Sequence, residues 1–326
     1  MRKRPRWDAT QYPLSYIKIL AAQCAACYDA RMTQLKVVTW NLGYGAMGAD
    51  ADISFEGGRR FIPSSKEAVK RNIRGIQQTL RDMHADVYLL QELSTGSLLN
   101  RWQNLRKAVQ EALPEHMQSR VSNFSLPLFF DLLRNEHGMS TFVPGDFDVY
   151  RRQTRPFTVH EYYYRLIPRW DFALTTFVKL KDGKCIAFVN THLSSFDTRG
   201  VLRMSQFLDL IAYAKKLAQN GCAVVIGADW NMHVGNFNFF EKDEERYQKY
   251  LHSFPNDLLK DGWSAHFCSD TPTLRASNRP YVKGKSTTAV VDGFICSPDI
   301  SVERVTTVDL EFAHSDHNPV EMVLSY

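Results

Sequence analysis

The chain has 326 residues, of which 44% are hydrophobic and 12% aromatic. This composition excludes a disordered chain and is sufficient for one large domain or two ordinary ones. The formal net charge of +5 gives little support to a polyanion partner, because residues 1–31 hold six basic and two acidic residues and contribute +4 of it. The sequence shows no repeat, linker or low-complexity tract, so we expect one α/β domain over residues 32–326.

Residues 1–31 have three interpretations, which the sequence leaves open. A basic start followed by an apolar run is typical of a signal peptide, although polar residues interrupt the run at Ser15, Lys18 and Gln23. The run is also too short and too polar for a membrane span. The natural start could instead be Met32, or residues 1–31 could be a mobile or docked extension. We expect a cytoplasmic protein, and a secreted one if residues 1–31 act as a signal.

The six cysteines give no clear metal-binding pattern. Cys185, Cys222 and Cys296 lie in apolar, strand-like runs, so we expect them to be small core residues. Cys24 and Cys27 have the CxxC spacing, but no second pair with zinc-like spacing follows. The sequence therefore favours a reduced, intracellular setting.

The first part of the chain predicts two buried strands, a long loop and two helices. The strands are rich in β-branched and apolar residues, and each ends in polar residues. Ser64 or Ser65 can cap the first helix, whose apolar residues recur on one face. The predicted elements are a strand over Leu35–Asn41, a loop over Gly43–Ser65, a helix over Lys66–His84, a strand over Asp86–Leu90 and a helix near Leu98–Leu113.

The second part of the chain predicts further strands around one long helix. Residues 118–180 are strand-like but irregular, with many basic and aromatic residues. Residues 181–183 predict the turn of a hairpin. The predicted elements are a hairpin of Asp171–Leu180 and Lys184–Asn190, a helix over Gly200–Gln219, and strands over Cys222–Ile226, Ala289–Cys296, Val302–Leu310 and Val320–Leu324.

Polar residues end most of the predicted strands. Each residue has an ordinary interpretation by itself, such as a turn asparagine or a solvated acid. Unrelated structural roles poorly explain so many polar residues at strand ends. Carboxylate and carboxamide oxygens with two imidazoles suit Mg²⁺, Mn²⁺ or Ca²⁺ better than a closed zinc site. The residues are Asn41, Glu92, His192, Asp229, Asn231, Asp292, Asp316 and His317.

These residues lie in short motifs that run in one order through nearly the whole chain. The motifs are Thr39-Trp40-Asn41, Gln91-Glu92, Asn190-Thr191-His192-Leu193, Gly227-Ala228-Asp229-Trp230-Asn231, Val291-Asp292-Gly293-Phe294 and Ser315-Asp316-His317-Asn318-Pro319. In this set the chain resembles the endonuclease/exonuclease/phosphatase superfamily of deoxyribonuclease-like and abasic-site nucleases, inositol polyphosphate phosphatases and sphingomyelinases. The resemblance implies a four-layer α/β sandwich of two packed mixed sheets with outer helices. It also implies a divalent-metal-dependent hydrolase of phosphoester bonds that uses in-line attack of water.

The resemblance further implies a role for each residue. Glu92 would be the principal ligand of Mg²⁺, with Mn²⁺ or Ca²⁺ as alternatives, and Asn41 and Asp316 would lie close to the ion. The number of metal ions stays open. On the phosphate side, His317 would bind the phosphoryl group or act as general base, oriented by Asp292.

The remaining three residues would act on the attacking water and the phosphate. Asp229 would align and deprotonate the water or assist the leaving oxygen, and the choice of base between Asp229 and His317 stays open. Asn231 and His192 would donate hydrogen bonds to phosphoryl oxygens. In some nucleases of the superfamily the residue at the position of His192 pairs with a glutamate, for which Glu136 is the candidate here.

The sequence leaves the substrate open. The basic and aromatic stretch 150–170 and the basic loop 275–285 favour nucleic acid, although the arginines could equally lie on the outer face of a sheet. The alternative is a phospholipid, sphingomyelin or an inositol phosphate, with residues 125–130 as a hairpin that enters a membrane. A third interpretation is a binding module that keeps the fold without catalysis. We expect a monomer with no transmembrane segment.

Overall fold

The computed structural model describes residues 34–63, 65–125, 136–163, 167–180, 182–235, 247 and 249–326. These residues include the helices α1 (Lys66–Met83), α2 (Leu105–Ala112) and α3 (Val201–Gln219). The first nine strands are β1 (Gln34–Asn41), β2 (Val87–Ser94), β3 (His116–Ser125), β4 (Glu136–Pro144), β5 (Asp148–Pro156), β6 (Glu161–Tyr163), β7 (Ile167–Arg169), β8 (Phe172–Lys179) and β9 (Cys185–His192). They are followed by β10 (Cys222–Asp229), β11 (Met232–His233), β12 (His252–Ser253), β13 (Ser264–His266), β14 (Leu274–Arg275), β15 (Thr288–Ala289), β16 (Asp292–Cys296), β17 (Ser301–Thr307) and β18 (Val320–Ser325).

Two six-stranded mixed sheets organise the described chain. The first has the strand order β17-β18-β1-β2-β4-β3, and the second has the order β13-β16-β10-β9-β8-β5. In each sheet the central pair is parallel: β1 with β2, and β9 with β10. The neighbouring pairs are antiparallel. Because the two strands of a parallel pair end at the same edge, the residues that follow these pairs are brought together.

Four layers result from the alternation of side chains along the central strands. Val37 of β1 packs into the core between the two sheets, together with Phe188 and Val225 of the second sheet. The next residue, Val38, faces the opposite way and joins Ile76 of α1 in a second core. A third core, between the second sheet and α3, includes Val189, Val224, Phe207 and Leu210. The predicted α/β/β/α sandwich is therefore confirmed.

The first predicted helix is confirmed, and the second begins later than predicted. The Ser65 hydroxyl accepts a hydrogen bond from the Ala68 amide at 3.0 Å, so Ser65 caps α1. The second helix begins at Leu105 rather than near Leu98, because left-handed backbone at Arg101 and Trp102 interrupts the chain. Asn104 then caps α2 by accepting from the Lys107 amide at 3.0 Å.

The prediction of reduced core thiols is wrong for two cysteines. Cys185 and Cys222 are register partners at the starts of the parallel strands β9 and β10, and their sulfur atoms form a disulfide. Their positions are 37 residues apart, so only the strand pairing makes them neighbours. Cys296 is a buried free thiol, as predicted. A disulfide is typical of oxidising compartments, contrary to the reduced setting that the sequence favoured.

Some predictions fall outside the described residues. These are the interpretations of residues 1–31, with Cys24 and Cys27, and of residues 126–130 as a membrane-entering segment. In the part of the chain that the structure describes, no helix is long and apolar enough to cross a bilayer.

Candidate active site

The predicted site residues converge where the two central parallel pairs end. Asn41 ends β1, and His192 and Asp229 end β9 and β10 as register partners. Asp292 begins β16 directly opposite Asp229. The Asn41 side-chain amide donates to Asp229 Oδ2 at 3.0 Å, which connects the two sheets at the site.

The backbone of Glu92 has a conformation that is unusual for its residue type. The pairing of β2 with β4 shifts register between Leu90 and Leu93, and Glu92 in this bulge has a φ of 55°. Left-handed backbone costs a residue other than glycine roughly 1–2 kcal/mol. Bulges of this kind re-aim a side chain and are common beside active sites. The bulge thus takes Glu92 out of the regular alternation of side chains between the two faces of β2.

Glu92 and Asp316 form the acidic side of the site. Burial raises the pKa of Glu92 to about 8, and the charge of Asp316 contributes in the same direction. His317, Arg169 and a hydrogen bond from Tyr44 offset only part of this shift. Two carboxyl groups in a buried site disfavour each other's ionisation unless a cation lies between them. The local charge therefore favours a bound cation.

The donors on this side fit a hard divalent ion. Asp316 Oδ2 accepts from the Ser277 hydroxyl at 2.9 Å, and Asn41 Oδ1 accepts from the Gly43 amide at 3.0 Å, which fixes both side chains. The Gly43 backbone also approaches so closely that an added Cβ would lie 2.7 Å from Asp316 Oδ1. Oxygen atoms of this kind are the ligands that Mg²⁺ and Ca²⁺ prefer.

His317 lies between two acidic residues on the other side of the site. Its Nδ1 donates to Asp292 Oδ2 at 2.8 Å, and its Nε2 lies 3.6 Å from Asp229 Oδ2. Burial alone would lower the pKa of His317, but Asp292 and Asp229 outweigh burial and hold this pKa well above its usual value. Burial raises the pKa of Asp292 to about 6, which leaves it a carboxylate at neutral pH. These neighbouring carboxylates therefore favour the imidazolium form of His317, which has two N–H donors.

The same three residues form a possible metal site by distance alone. One ligand atom from each of Asp229, Asp292 and His317 lies within 4.8 Å of the others. A protonated imidazole has no lone pair for a metal, so His317 could bind an ion there only after losing its Nε2 proton. The Asn41, Glu92 and Asp316 side chains each offer an oxygen atom, which hard divalent ions prefer, and Glu92 would release its proton when an ion binds.

Asn231 is positioned by its own left-handed backbone and by Asp229. It has a φ of 49°, which asparagine tolerates better than most residues, and its backbone N–H donates to Asp229 Oδ1 at 2.9 Å. Its side-chain nitrogen donates to the Leu193 carbonyl at 2.9 Å and lies 3.4 Å from Ser195 Oγ. Asn231 thus lies beside Asp229 and the end of β9.

The partner of His192 differs from the prediction. His192 Nε2 lies 3.3 Å from Asp229 Oδ2, and its Nδ1 accepts a hydrogen bond from Arg169 Nη2 at 3.1 Å. The glutamate near this ring is Glu92, whose Oε1 lies 3.9 Å from the same Nδ1. Glu136, the predicted partner, instead accepts from Arg106 at 3.0 Å and from Ser122 at 2.7 Å. Glu136 begins β4 in the first sheet, whereas Arg169, the last residue of β7, contacts His192 at the end of β9.

Sequence reasoning missed Arg169, Ser277 and Tyr44 as site residues. Arg169 lies within the basic stretch 150–170, but two described arginines of this stretch have partners away from the site. Arg155 pairs with Asp209 at 2.5 Å, and Arg152 donates to Ser119 at 3.0 Å. One signal distinguishes Arg169 in the sequence: the acidic Asp171 follows two residues later, immediately before a strongly apolar strand.

A family model and several solved structures match this chain. The model of the Endonuclease/Exonuclease/phosphatase family matches residues 38–317. The chain belongs to this family. Its members are phosphoesterases, which confirms the resemblance and the enzyme class that the motifs predicted. None of the curated proteins in the comparison matches the chain.

The solved structures share the fold at low sequence identity. TDP2 from Caenorhabditis elegans is 13% identical with a TM-score of 0.57, and the match covers 90% of this chain and 98% of that one. ANGEL2, a 2′,3′-cyclic phosphatase solved with adenosine-2′,3′-vanadate, is 15% identical with a TM-score of 0.60 over 90% and 95% of the two chains. The human Nocturnin catalytic domain, with a bound sulfate anion, is 14% identical with a TM-score of 0.57 over 90% and 94%.

Proposed function

We propose that this chain is a divalent-metal-dependent phosphodiesterase that acts on nucleic acid. One observation carries the catalytic part of the proposal: the site separates charge. Two carboxyl groups, Glu92 and Asp316, lie on one side, and the His317 imidazolium lies on the other beside Asp292 at 2.8 Å. A phosphate group bound between a cation on the acidic side and an imidazolium on the other would have its negative charge stabilised from both sides.

The proposed metal ligands are Asn41, Glu92 and Asp316, and Mg²⁺ is the proposed ion. When bound, the ion would act as a Lewis acid toward a phosphoryl oxygen. Its preference for oxygen ligands fits these three side chains and distinguishes them from a zinc site.

The protein residues would position the phosphate and move the proton. His317, His192 and Asn231 would donate to phosphoryl oxygens. Asp229 would take a proton from the attacking water. The water oxygen would form the new bond to phosphorus as the bond between phosphorus and the leaving oxygen breaks. We assign the base to Asp229 because His317 already carries its proton at neutral pH. Asp292 would keep the His317 ring oriented and charged.

Exposed aromatic rings beside the site favour nucleic acid as the substrate. Trp170 is 49% exposed and directly follows Arg169, whose guanidinium contacts His192. Phe196 is 41% exposed and directly follows Ser195, whose hydroxyl lies 3.4 Å from Asn231 Nδ2. Rings in such positions can stack on bases on either side of a bound phosphate. Inositol polyphosphates would instead require several cations, and Arg169 is already paired with Glu161 and Asp171.

A parallel substrate assay tests the proposed function. Purified protein with Mg²⁺ or Mn²⁺ would be incubated with plasmid, single-stranded DNA, RNA, adenosine 2′,3′-cyclic phosphate, sphingomyelin vesicles and inositol phosphates. We expect cleavage of DNA or RNA, lost on addition of EDTA. Intact nucleic acid together with cleavage of a lipid or inositol phosphate would refute the proposed substrate and leave the phosphoesterase assignment in place.

The aromatic residues allow a sharper test of the substrate. We expect Trp170→Ala and Phe196→Ala each to raise KM for an oligonucleotide about 10-fold, because stacking contributes roughly 1–3 kcal/mol per base. Turnover of a small p-nitrophenyl phosphodiester should change little. Leu208→Ala, at a 50% exposed side chain of α3, is the matched control. Equal changes in KM for the oligonucleotide in all three variants would contradict base stacking on Trp170 and Phe196.

A further inference from the structure

The hairpin of β6 and β7 buries an ion-paired arginine against His192. Arg169 is only 3% exposed, and its Nη1 donates to Glu161 Oε2 at 2.9 Å. Its Nε lies 3.3 Å from Asp171 Oδ1. Glu161 and Asp171 are equally buried, at 6% and 0% exposure. The guanidinium is therefore held from two directions before it contacts His192, and the charge of a buried arginine is fixed.

The acids that hold Arg169 are themselves fixed by the segment after β9. Glu161 Oε1 accepts from the Phe196 amide at 2.8 Å. Asp171 Oδ2 accepts from the Ser194 hydroxyl at 3.1 Å and from the Gln206 side chain at 2.8 Å. The same segment follows His192 directly, so the guanidinium and the imidazole are positioned by one connected set of hydrogen bonds.

The hydrogen bond from Arg169 determines where the His192 ring can carry a proton. A guanidinium has donors only, so His192 Nδ1 must accept the 3.1 Å hydrogen bond with its lone pair. A neutral ring then carries its single proton on Nε2, which lies 3.3 Å from Asp229 Oδ2 on the side of the site. A doubly protonated ring would direct an N–H group at the arginine and lose this bond.

We propose that Arg169 is a positioning residue that fixes the neutral Nε2–H tautomer of His192, so that His192 acts as a hydrogen-bond donor to the substrate and not as a proton acceptor. This inference rests on the proposed function, because the acceptor of the donated bond is taken to be a phosphoryl oxygen. It assigns different tasks to the two histidines of the site. His317 is oriented by the carboxylate of Asp292, whereas His192 is oriented by the guanidinium of Arg169.

The tautomer can be read without any turnover. Two-bond ¹H–¹⁵N correlation spectra of histidine-labelled protein near neutral pH distinguish a protonated from an unprotonated ring nitrogen, and His192→Gln assigns the signals by their loss. We expect unprotonated Nδ1 and protonated Nε2 in the wild type. Arg169→Gln should abolish this pattern. Arg155→Gln, which removes the ion pair between β5 and Asp209 of α3, should preserve it. An Nδ1–H or doubly protonated ring in the wild type would overturn the proposal.

Substitutions of His192 test the donor role on the substrate that the parallel assay identifies. A glutamine amide can donate from near the Nε2 position, whereas an asparagine amide donates from near Nδ1, where Arg169 already donates. We expect His192→Gln to keep kcat within about 10-fold of wild type and His192→Asn to lose at least another 10-fold. Equal loss in both variants would overturn the donor role.

The two arms separate the failure of this inference from the failure of the proposed function. If no phosphodiester is cleaved, the proposed function is wrong, but the wild-type spectrum still decides whether Arg169 fixes the tautomer. If Arg169→Gln does not fold, as judged by its thermal melt, the wild-type spectrum and the two His192 variants remain decisive.

Discussion

Burial and neighbouring charges shift the pKa values of single residues at this site. Glu92 is held in a left-handed bulge with a pKa raised to about 8 by burial and by Asp316. His317 is held as an imidazolium by Asp292 and Asp229 against the effect of burial. A shifted pKa of this kind is common at functional sites, and each shift here has a visible structural cause.

Metal binding should depend on pH through Glu92. The pKa of Glu92 is raised from its ordinary value of 4.5 to about 8, so the folded, metal-free protein keeps a proton that the unfolded chain releases between these values. The stability that this proton contributes is lost as the pH rises toward 8. A metal ion must displace the same proton, so its affinity should increase over the same window.

Isothermal titration of EDTA-treated protein with Mg²⁺ or Mn²⁺ at about pH 6 and about pH 8 measures this coupling. We expect tighter binding at the higher pH, and a heat of binding that varies with the ionisation enthalpy of the buffer because a proton is released. Glu92→Gln should bind weakly and release no proton. An affinity independent of pH would contradict the role of Glu92 as ligand.

Asp292→Asn should weaken catalysis through His317. The variant removes a carboxylate that raises the pKa of His317, so this pKa falls toward its usual value and the ring loses its charge at lower pH. We expect kcat to fall roughly 10²-fold or more and the alkaline limb of the pH–rate profile to move to lower pH. Asp299→Asn, at an exposed acid after the same strand, is the control. A reduced kcat with an unmoved alkaline limb would show that Asp292 does not set the charge of His317.

At the scale of elements, the two ends of the β9–β10 pair have different tasks. The ends of the strands carry His192 and Asp229, whereas their starts are joined by the Cys185–Cys222 disulfide, seven positions away along both strands. The crosslink therefore stabilises the pair at the end remote from the chemistry. Stability and catalysis should be separable along these two strands.

Removal of the disulfide should lower stability without changing the site. Replacement of both Cys185 and Cys222 by alanine should reduce the free energy of unfolding by about 2–4 kcal/mol, the typical contribution of a disulfide. The kcat should be unchanged at temperatures well below the transition. The matched control is Cys268→Ala, which removes a free, half-buried thiol. An equal melting temperature of the double variant and the wild type under oxidising conditions would contradict the crosslink.

At the scale of the molecule, the parallel pair at the centre of each sheet explains why distant segments form one site. The residues at the strand ends could be predicted from the sequence, because polar residues after apolar runs indicate the edge where strands stop. Glu92 and His317 were predicted for this reason. The sandwich was predicted from the family resemblance of the motifs that contain these residues. The charges of Glu92 and His317 were not predictable, because they depend on distances between separate segments: Glu92 interacts with Asp316, and His317 interacts with Asp229 and Asp292.

Other features depend on pairings that no local pattern reveals. Arg169, in the two-stranded sheet of β6 and β7, contacts His192 at the end of β9 in a different sheet. Its surroundings in the sequence are basic and aromatic, like those of the arginines on the edge strand β5. The disulfide requires the register of two parallel strands separated by a helix. Both depend on tertiary structure, which overrides the local signal.

The most direct test of the account is cleavage of a 5′-labelled oligonucleotide under single-turnover conditions. Wild-type protein should cleave with Mg²⁺ and stop with EDTA, and Glu92→Gln and His317→Gln should each lose about 10³-fold or more in rate while they keep the wild-type fold by circular dichroism. Cleavage by Glu92→Gln at the wild-type rate, or undiminished cleavage in EDTA, would contradict the assignment of this site as a metal-dependent phosphodiesterase.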